Sequence, residues 1–187
     1  MKCAIDLRLD LKVALFPVGE FERIFHYLRG AERLAISLDD QRPLCRLYTE
    51  LCHTIGLAGH PGEAIVFGQK SCALAESLGD VPLQVSAKTY LGGAYLRTGD
   101  YRRAENLLEQ VLESLEGSEG ILSEPHDATV RGYLTMIFTD WGKFEQAITN
   151  GREGVLLAEQ RNHPVAVANI CWVRAYVHLE RRDSGTP

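Results

Sequence analysis

The stretch Tyr90-Leu91-Gly92-Gly93-Ala94-Tyr95, followed three residues later by Gly99-Asp100-Tyr101-Arg102-Arg103-Ala104, decides the fold of this chain. Its second half recurs along the sequence. Gly19 opens Gly-Glu-Phe-Glu-Arg-Ile, Gly59 opens Gly-His-Pro-Gly-Glu-Ala, and Gly142 opens Gly-Lys-Phe-Glu-Gln-Ala. The four glycines are spaced by 40, 40 and 43 residues, a period in the range of repeat architectures. Each glycine is suited to a positive φ that ends one helix. Two residues on stands Phe21, Pro61, Tyr101 or Phe144. At three of these positions a ring can fill the corner between helices, and proline suits a first helical turn. Five residues after the glycine stands Ile24, Ala64, Ala104 or Ala147, small in three of four cases and so permitting close helix approach.

Working outward, an apolar stripe at helical spacing precedes each glycine: Leu7, Leu11, Leu15; Leu47, Leu51, Ile55; Ala87, Leu91, Tyr95; Leu134, Phe138. A second amphipathic helix follows each glycine, as in Tyr101 to Leu115 with Ala104, Leu107, Leu108, Val111 and Leu112. Asp39–Pro43, Gly79–Pro82, Gly117–Asp127 and Asn162–Pro164 separate the units, each with a proline near its end that suits the start of a helix. The pattern predicts an all-α chain, a right-handed α-solenoid of about four helix hairpins plus one terminal helix. It is read as a single domain over 1–187, with repeats at about 3–39, 41–79, 82–117 and 125–161 and a final helix at 164–181. One such pair cannot bury its apolar face alone. Stacked neighbours make the core and leave a concave inner face.

Composition excludes several classes. Hydrophobic residues are 45% and charged residues 24% of 187, ordinary for a globular domain. The net charge of −5 and the absence of a basic stripe argue against nucleic acid. Arg102–Arg103 and Arg181–Arg182 are too short to make one. No apolar run reaches the roughly 18 residues of a membrane span, and the charges Lys2, Asp6, Arg8 and Asp10 speak against a secretory signal. Five scattered cysteines, Cys3, Cys45, Cys52, Cys72 and Cys171, lie in helical apolar patterns without a CxxC pair. They read as reduced core residues of a cytoplasmic protein.

The quoted Tyr90–Tyr95 and Gly99–Ala104 segments resemble the tetratricopeptide repeat signature. The other units match it in part: Lys12, Cys52 and Thr135 stand where the signature has Gly92, and the period exceeds the family's usual 34. The resemblance covers roughly residues 5–180 and implies a module that binds a protein or peptide segment rather than an enzyme. Leu7-Arg8-Leu9-Asp10-Leu11, Ala14 to Glu22, and Ala73-Leu74-Ala75-Glu76-Ser77-Leu78-Gly79-Asp80 further resemble the C-terminal repeat region of large bacterial cyclase and signal-transduction ATPase regulators. That likeness implies a regulatory, signalling role. In tetratricopeptide stacks the first helix of each pair lines the groove. Carried over, this implies a surface of Arg46, Thr49, Glu50 and His53, then Ser86, Thr89, Tyr90 and Arg97, then Thr129, Tyr133, Met136 and Asp140. The lysine–asparagine clamp by which some members hold a terminal carboxylate is missing, since Thr49, His53, Thr89 and Gly93 stand in its places.

Chemical motifs are weak. Gly68-Gln69-Lys70-Ser71 is faintly like a phosphate loop, but its spacing to Gly62 is wrong and it lies within a helical pattern. Cys52-His53 could suggest a nucleophile and base, yet adjacent helical residues point about 100° apart. His126-Asp127 suits a helix cap, and no histidine pair has the i, i+4 spacing of a helical zinc site. No catalytic residue, metal or cofactor is assigned. The acidic bias of Glu109, Glu113, Glu116 and Glu119 reads as a solvated face. Small-molecule sensing is the alternative function, which would require an enclosed pocket with converging polar groups. The final helix carries Ile170, Cys171, Trp172, Val173, Tyr176 and Leu179 with no paired helix after it, which predicts a homodimer through that end.

Overall fold

The computed structural model describes residues 2–37, 40–115 and 126–183. The predicted linkers at Asp39 and Gly117–Pro125, and Glu116 and Glu119 of the acidic bias, lie outside these. Among the described residues the chain is all-α. Nine helices follow in order: α1 Lys2–Leu15, α2 Phe21–Ile36, α3 Gln41–Leu57, α4 Pro61–Leu78, α5 Val81–Arg97, α6 Tyr101–Leu115, α7 His126–Asp140, α8 Phe144–Gln160 and α9 Pro164–Asp183. A short 3-10 turn, Phe16–Val18, follows α1. The four repeat glycines lie at the turns between paired helices with φ of +73°, +92°, +78° and +71°. After α8 an asparagine does this work, Asn162 at φ +51°. Its short polar side chain tolerates the left-handed region better than most. Asp40 and Asp80 cap α3 and α5, accepting hydrogen bonds from the backbone N–H of Arg42 and Leu83 at 3.1 and 3.2 Å.

The second helix of each pair buries one stripe at i, i+4, i+7 and i+11. It is Ile24, Leu28, Ala31, Ala35 in α2, Ala64, Gly68, Ser71, Ala75 in α4, and Ala147, Gly151, Gly154, Ala158 in α8. In α6 the stripe is Ala104, Leu108, Val111. Alanine, glycine and serine dominate it because helix backbones can approach closely only where side chains are short.

The chain divides into two compact units, Met1–Thr98 and Gly99–Pro187. In the first, α3 packs on α4 and α5, α2 bridges α1 and α3, and α1 meets α3 only lightly. Its core joins Ile5 and Leu9 to Ile24, Leu28, Leu47, Leu51 and Ile55. Leu7 departs from its predicted stripe and is 60% exposed. In α3 the matching residue, Leu47, is buried in the core with α2, whereas on α1 Ile5 and Leu9 are the buried positions and Leu7 stands off that stripe. In the second unit α7 packs on α6, α8 and α9, and α8 also packs on α9. Ala128, Ala158, Ala166 and Ile170 form a core there. Phe21 packs edge-on to Phe16 at 5.8 Å, and Tyr101 to Trp141 at 6.2 Å, as the aromatic positions lead one to expect. The cysteines divide: Cys45 and Cys52 are buried and Cys72 partly so, but Cys3 and Cys171 are exposed, contrary to the expectation of core residues throughout. Both stand off the buried stripes of their helices, Ile5 and Leu9 on α1 and Ala166, Ile170, Val173 and Val177 on α9.

A close approach on α4 tests the packing. A methyl at Gly68 would meet Leu91 Cδ1 at 2.8 Å and Cys52 Sγ at 2.9 Å, whereas one at Gly62, on the same helix, meets nothing within 4 Å. Gly68→Ala therefore destabilises by up to about 2 kcal/mol, an overpacking cost of about 1–3 set against a helix-propensity gain of about 1. Gly62→Ala is neutral or stabilising by a few tenths of a kcal/mol. Urea unfolding of both variants measures the contrast.

Candidate functional site

In the first unit, α1, α3 and α5 present a shared strip of polar and aromatic side chains. Glu50 and His53, one helical turn apart on α3, face the same way. Lys12 of α1 is buried, donates to the Glu50 carboxylate, and places its ammonium 3.4 Å from His53 Nδ1. A lysine has only donors, so the unprotonated Nδ1 faces it and the imidazole is neutral. The His53 ring lies between Phe16 and Tyr90, stacked at 5.9 and 4.3 Å. The Lys12 ammonium also lies 5.7 Å from the Phe16 ring centre. Arg97 donates to the Gly93 carbonyl at 2.7 Å, and its charge reaches His53. Burial first, then Lys12 and Arg97, holds the His53 pKa well below the ordinary imidazole value of 6.5. Nearby, Arg46 pairs with Asp6 at 3.1 Å across the exposed ends of α3 and α1.

The other implied groove residues of this unit fall elsewhere. Thr49 is buried, its hydroxyl bonded to the Cys45 carbonyl at 3.1 Å and to Ser71 of α4. Thr89 is buried and bonds the Val85 carbonyl at 2.8 Å. Both belong to helix packing. Ser86 is half-buried and bonds the Pro82 carbonyl. Lys12 and Phe16 were not on the sequence-derived surface. The 40-residue period held the signal for Lys12: it stands in register with Cys52 and Gly92, buried positions where a charge requires a partner.

In the second unit Thr129, Tyr133 and Met136 are half-buried along one face of α7, which ends at exposed Asp140. The Asp140 carboxylate accepts from Tyr101 Oη at 2.7 Å and Tyr176 Oη at 3.1 Å, joining α6, α7 and α9. Burial, reinforced by Asp140 and Glu180, pushes the Tyr176 hydroxyl up to about 12. Beside it, Gly99, Asp100, Tyr101, Arg102, Glu105, Trp141 and Lys143 line an open cleft of about 710 Å³. The Lys143 ammonium lies 4.5 Å over the Trp141 ring.

Neither chemical motif assembles. Cys52 is buried against Gly68, and burial pushes its thiol up to about 12, the reverse of what an attacking thiolate needs. Gly68-Gln69-Lys70-Ser71 lies within α4. There Ser71 bonds the Cys45 carbonyl at 3.0 Å and Lys70 sits over Tyr48 and Phe67. Among the described residues, no group of three or more His, Cys, Asp or Glu side chains is placed to hold a metal ion, and no helix is long and apolar enough to cross a membrane.

These paired helices, their glycine turns and their small-residue stripes define an all-α solenoid fold of tetratricopeptide-like repeats. Solved structures bear this out. The apo form of RapI matches 96% of the chain with a TM-score of 0.71 at 12% identity, and the chain spans 64% of that protein. The nearly identical TPR-like repeats of a Podosopora anserina putative kinesin light chain match 98% of the chain and 90% of their own length, with a TM-score of 0.69 at 16% identity. BtubC (BKLC) from P. vanneervenii matches 97% and 82%, with a TM-score of 0.70 at 15% identity. At such identities the likeness is one of fold. No family model and no curated protein matches the sequence.

The burial of His53, with Lys12 and Arg97 beside it, makes a pH prediction. The unfolded imidazole takes up its proton near 6.5, and the folded one only at lower pH. Folding stability is therefore fully present above about pH 6.5 and lost as pH falls below it, at up to about 1.4 kcal/mol per pH unit until the folded pKa is reached. His53→Asn removes this term. Denaturant unfolding between about pH 7 and 5 should be less steep in pH for the variant than for the wild type.

Proposed function

We propose that this chain is a non-enzymatic protein-interaction module, whose two units each offer a strip of half-buried polar and aromatic side chains to an extended peptide or a segment of another protein. The observation that carries the reading is the Lys12–Glu50–His53 network held between Phe16 and Tyr90. Its side chains are fixed before any partner arrives, so binding costs less ordering entropy. Arg46, Tyr90 and Arg97 extend it. In the second unit Tyr133, Met136 and Asp140 offer the same mixture, with tyrosine and methionine as adaptable apolar contacts. The residue resemblance to repeat regions of bacterial cyclase and ATPase regulators supports a finer placement, as a regulatory element of cytoplasmic signalling. Small-molecule sensing would put its ligand in the cleft beside Trp141. The volume suits a ligand pocket, but its openness favours the broad contact of a peptide.

The test uses peptides selected from a random display library on the wild-type chain, with affinities measured by calorimetry. Tyr90→Ala or Arg97→Ala, or Tyr133→Ala in the second unit, should weaken the selected peptides about tenfold or more, equivalent to about 1.4 kcal/mol, while helical circular dichroism is retained. Affinities unchanged in all three variants would overturn the reading.

A further inference from the structure

We infer that the cleft beside Trp141 in the second unit is a binding site for a small zwitterion, a free α-amino acid with an aromatic side chain. The inference names a ligand class for that cleft and stands whether or not the polar strips bind a peptide. The cleft's walls come from the start of α6 and from the turn that joins α7 to α8. Its floor is fixed before a ligand arrives. Tyr101 meets Trp141 edge-on at 6.2 Å, and Phe138 braces the indole at 6.3 Å. The Tyr101 hydroxyl donates to Asp140 at 2.7 Å, which holds its ring in place. Trp141 is nonetheless only half-buried and lines the cleft, an apolar body open to a second ring. The volume of about 710 Å³ lies within the range of small-ligand sites.

The charges on the walls identify the occupant. Asp100 is already engaged: it accepts from the Arg103 backbone N–H at 3.3 Å and pairs with the Arg103 guanidinium at 3.4 Å. Arg102, Glu105 and Lys143 also line the cleft. Among the described residues, none of these three makes an ion pair or a side-chain hydrogen bond. The Lys143 ammonium rests on rings instead, 4.5 Å from the centre of Trp141 and 5.5 Å from that of Phe138. Glu105 is half-buried, so its carboxylate is partly shielded from water and attracts a cation more strongly than a fully solvated one. An anion alone would leave Glu105 unmet, and a cation alone would leave Arg102 and Lys143 unmet. A zwitterion answers both signs. Its carboxylate accepts charge-assisted hydrogen bonds from Arg102 and Lys143, and its ammonium donates to Glu105. The Lys143 ammonium over the indole also sets the carboxylate beside the aromatic floor. In an aromatic α-amino acid the carboxylate and the ring are joined through two carbons, with the ammonium on the first. One small molecule therefore brings all three groups to one place.

Calorimetric titration of the full chain with phenylalanine, N-acetylphenylalanine and phenylalanine amide, each up to about 10 mM, tests this, with helical circular dichroism as the control of folding. Phenylalanine should bind with a Kd of about 1 mM or less. Each blocked form should bind at least about threefold more weakly, the scale of single ion pairs at a site partly open to water. In Glu105→Gln the acetylated form should bind as well as the free amino acid, because the partner of the ammonium is gone. Trp141→Ala should raise the Kd about tenfold. If that variant does not fold, the Glu105→Gln chain, which keeps the size and shape of the side chain, decides. No binding of phenylalanine at about 10 mM, blocked forms that bind as tightly as the free amino acid, a Glu105→Gln chain that still prefers the free form to the acetylated one, or a folded Trp141→Ala chain that binds as the wild type does would each overturn the inference.

Discussion

Close approach of two helix backbones is the constraint on which the rest of this structure depends. The Ala64–Gly68–Ser71–Ala75 stripe of α4 and the Ala147–Gly151–Gly154–Ala158 stripe of α8 bring each helix near its partner. A larger residue at Gly68 would meet Leu91 and Cys52. Shallow stripes keep the hairpin thin enough for its first helix to touch the next first helix as well. That second contact, α3 with α5 and α7 with α9, is what makes a stack rather than separate hairpins. The glycine turns serve the same end by setting each return of the chain.

The inner strip of the first unit exists because of that stacking. Lys12, His53 and Tyr90 lie on three different helices, and each contact among them crosses from one first helix to the next. A buried lysine is costly unless its charge is met. Glu50 meets it, and the rings of Phe16 and Tyr90 enclose the imidazole between. The result is a polar network that holds α1 to α3 where their apolar contact is light. Removing Glu50 alone would leave the Lys12 ammonium buried beside an imidazole, so stability and the geometry of the strip are coupled in the same few atoms.

The helix pairs were legible because their grammar is local. A glycine, an aromatic ring two residues on and a small residue five residues on recur with little change, and each does its work within one turn of chain. The strip was legible only in fragments. Glu50, His53, Tyr90 and Arg97 could be named from the first-helix register, but nothing local tells that Lys12 reaches Glu50, 38 positions away. The first repeat departs most from the grammar, with Ile24 for alanine and Lys12 for glycine, so its members were hardest to place. Thr49 and Thr89 were misleading for the opposite reason. Their polarity suggests an open face, yet a threonine can bond the carbonyl four residues back and so be buried without cost.

The pairs Thr49–Glu50, Cys52–His53 and Thr89–Tyr90 show how such a fold separates its tasks. One step along a helix turns the side chain by about 100°. The first member of each pair enters the packing: Thr49 toward Ser71, Cys52 against Gly68, Thr89 buried. The second member joins the inner strip. Packing positions are restricted by volume, since a methyl too many at Gly68 has no room. Strip positions are restricted by charge and hydrogen-bond partners instead: Glu50 and His53 answer to the buried Lys12, whereas an exposed position such as Arg46 can change without disturbing the stack. It also follows that similarity in fold to other tetratricopeptide-like proteins, which lies in the packing positions, carries no information about what the strip binds.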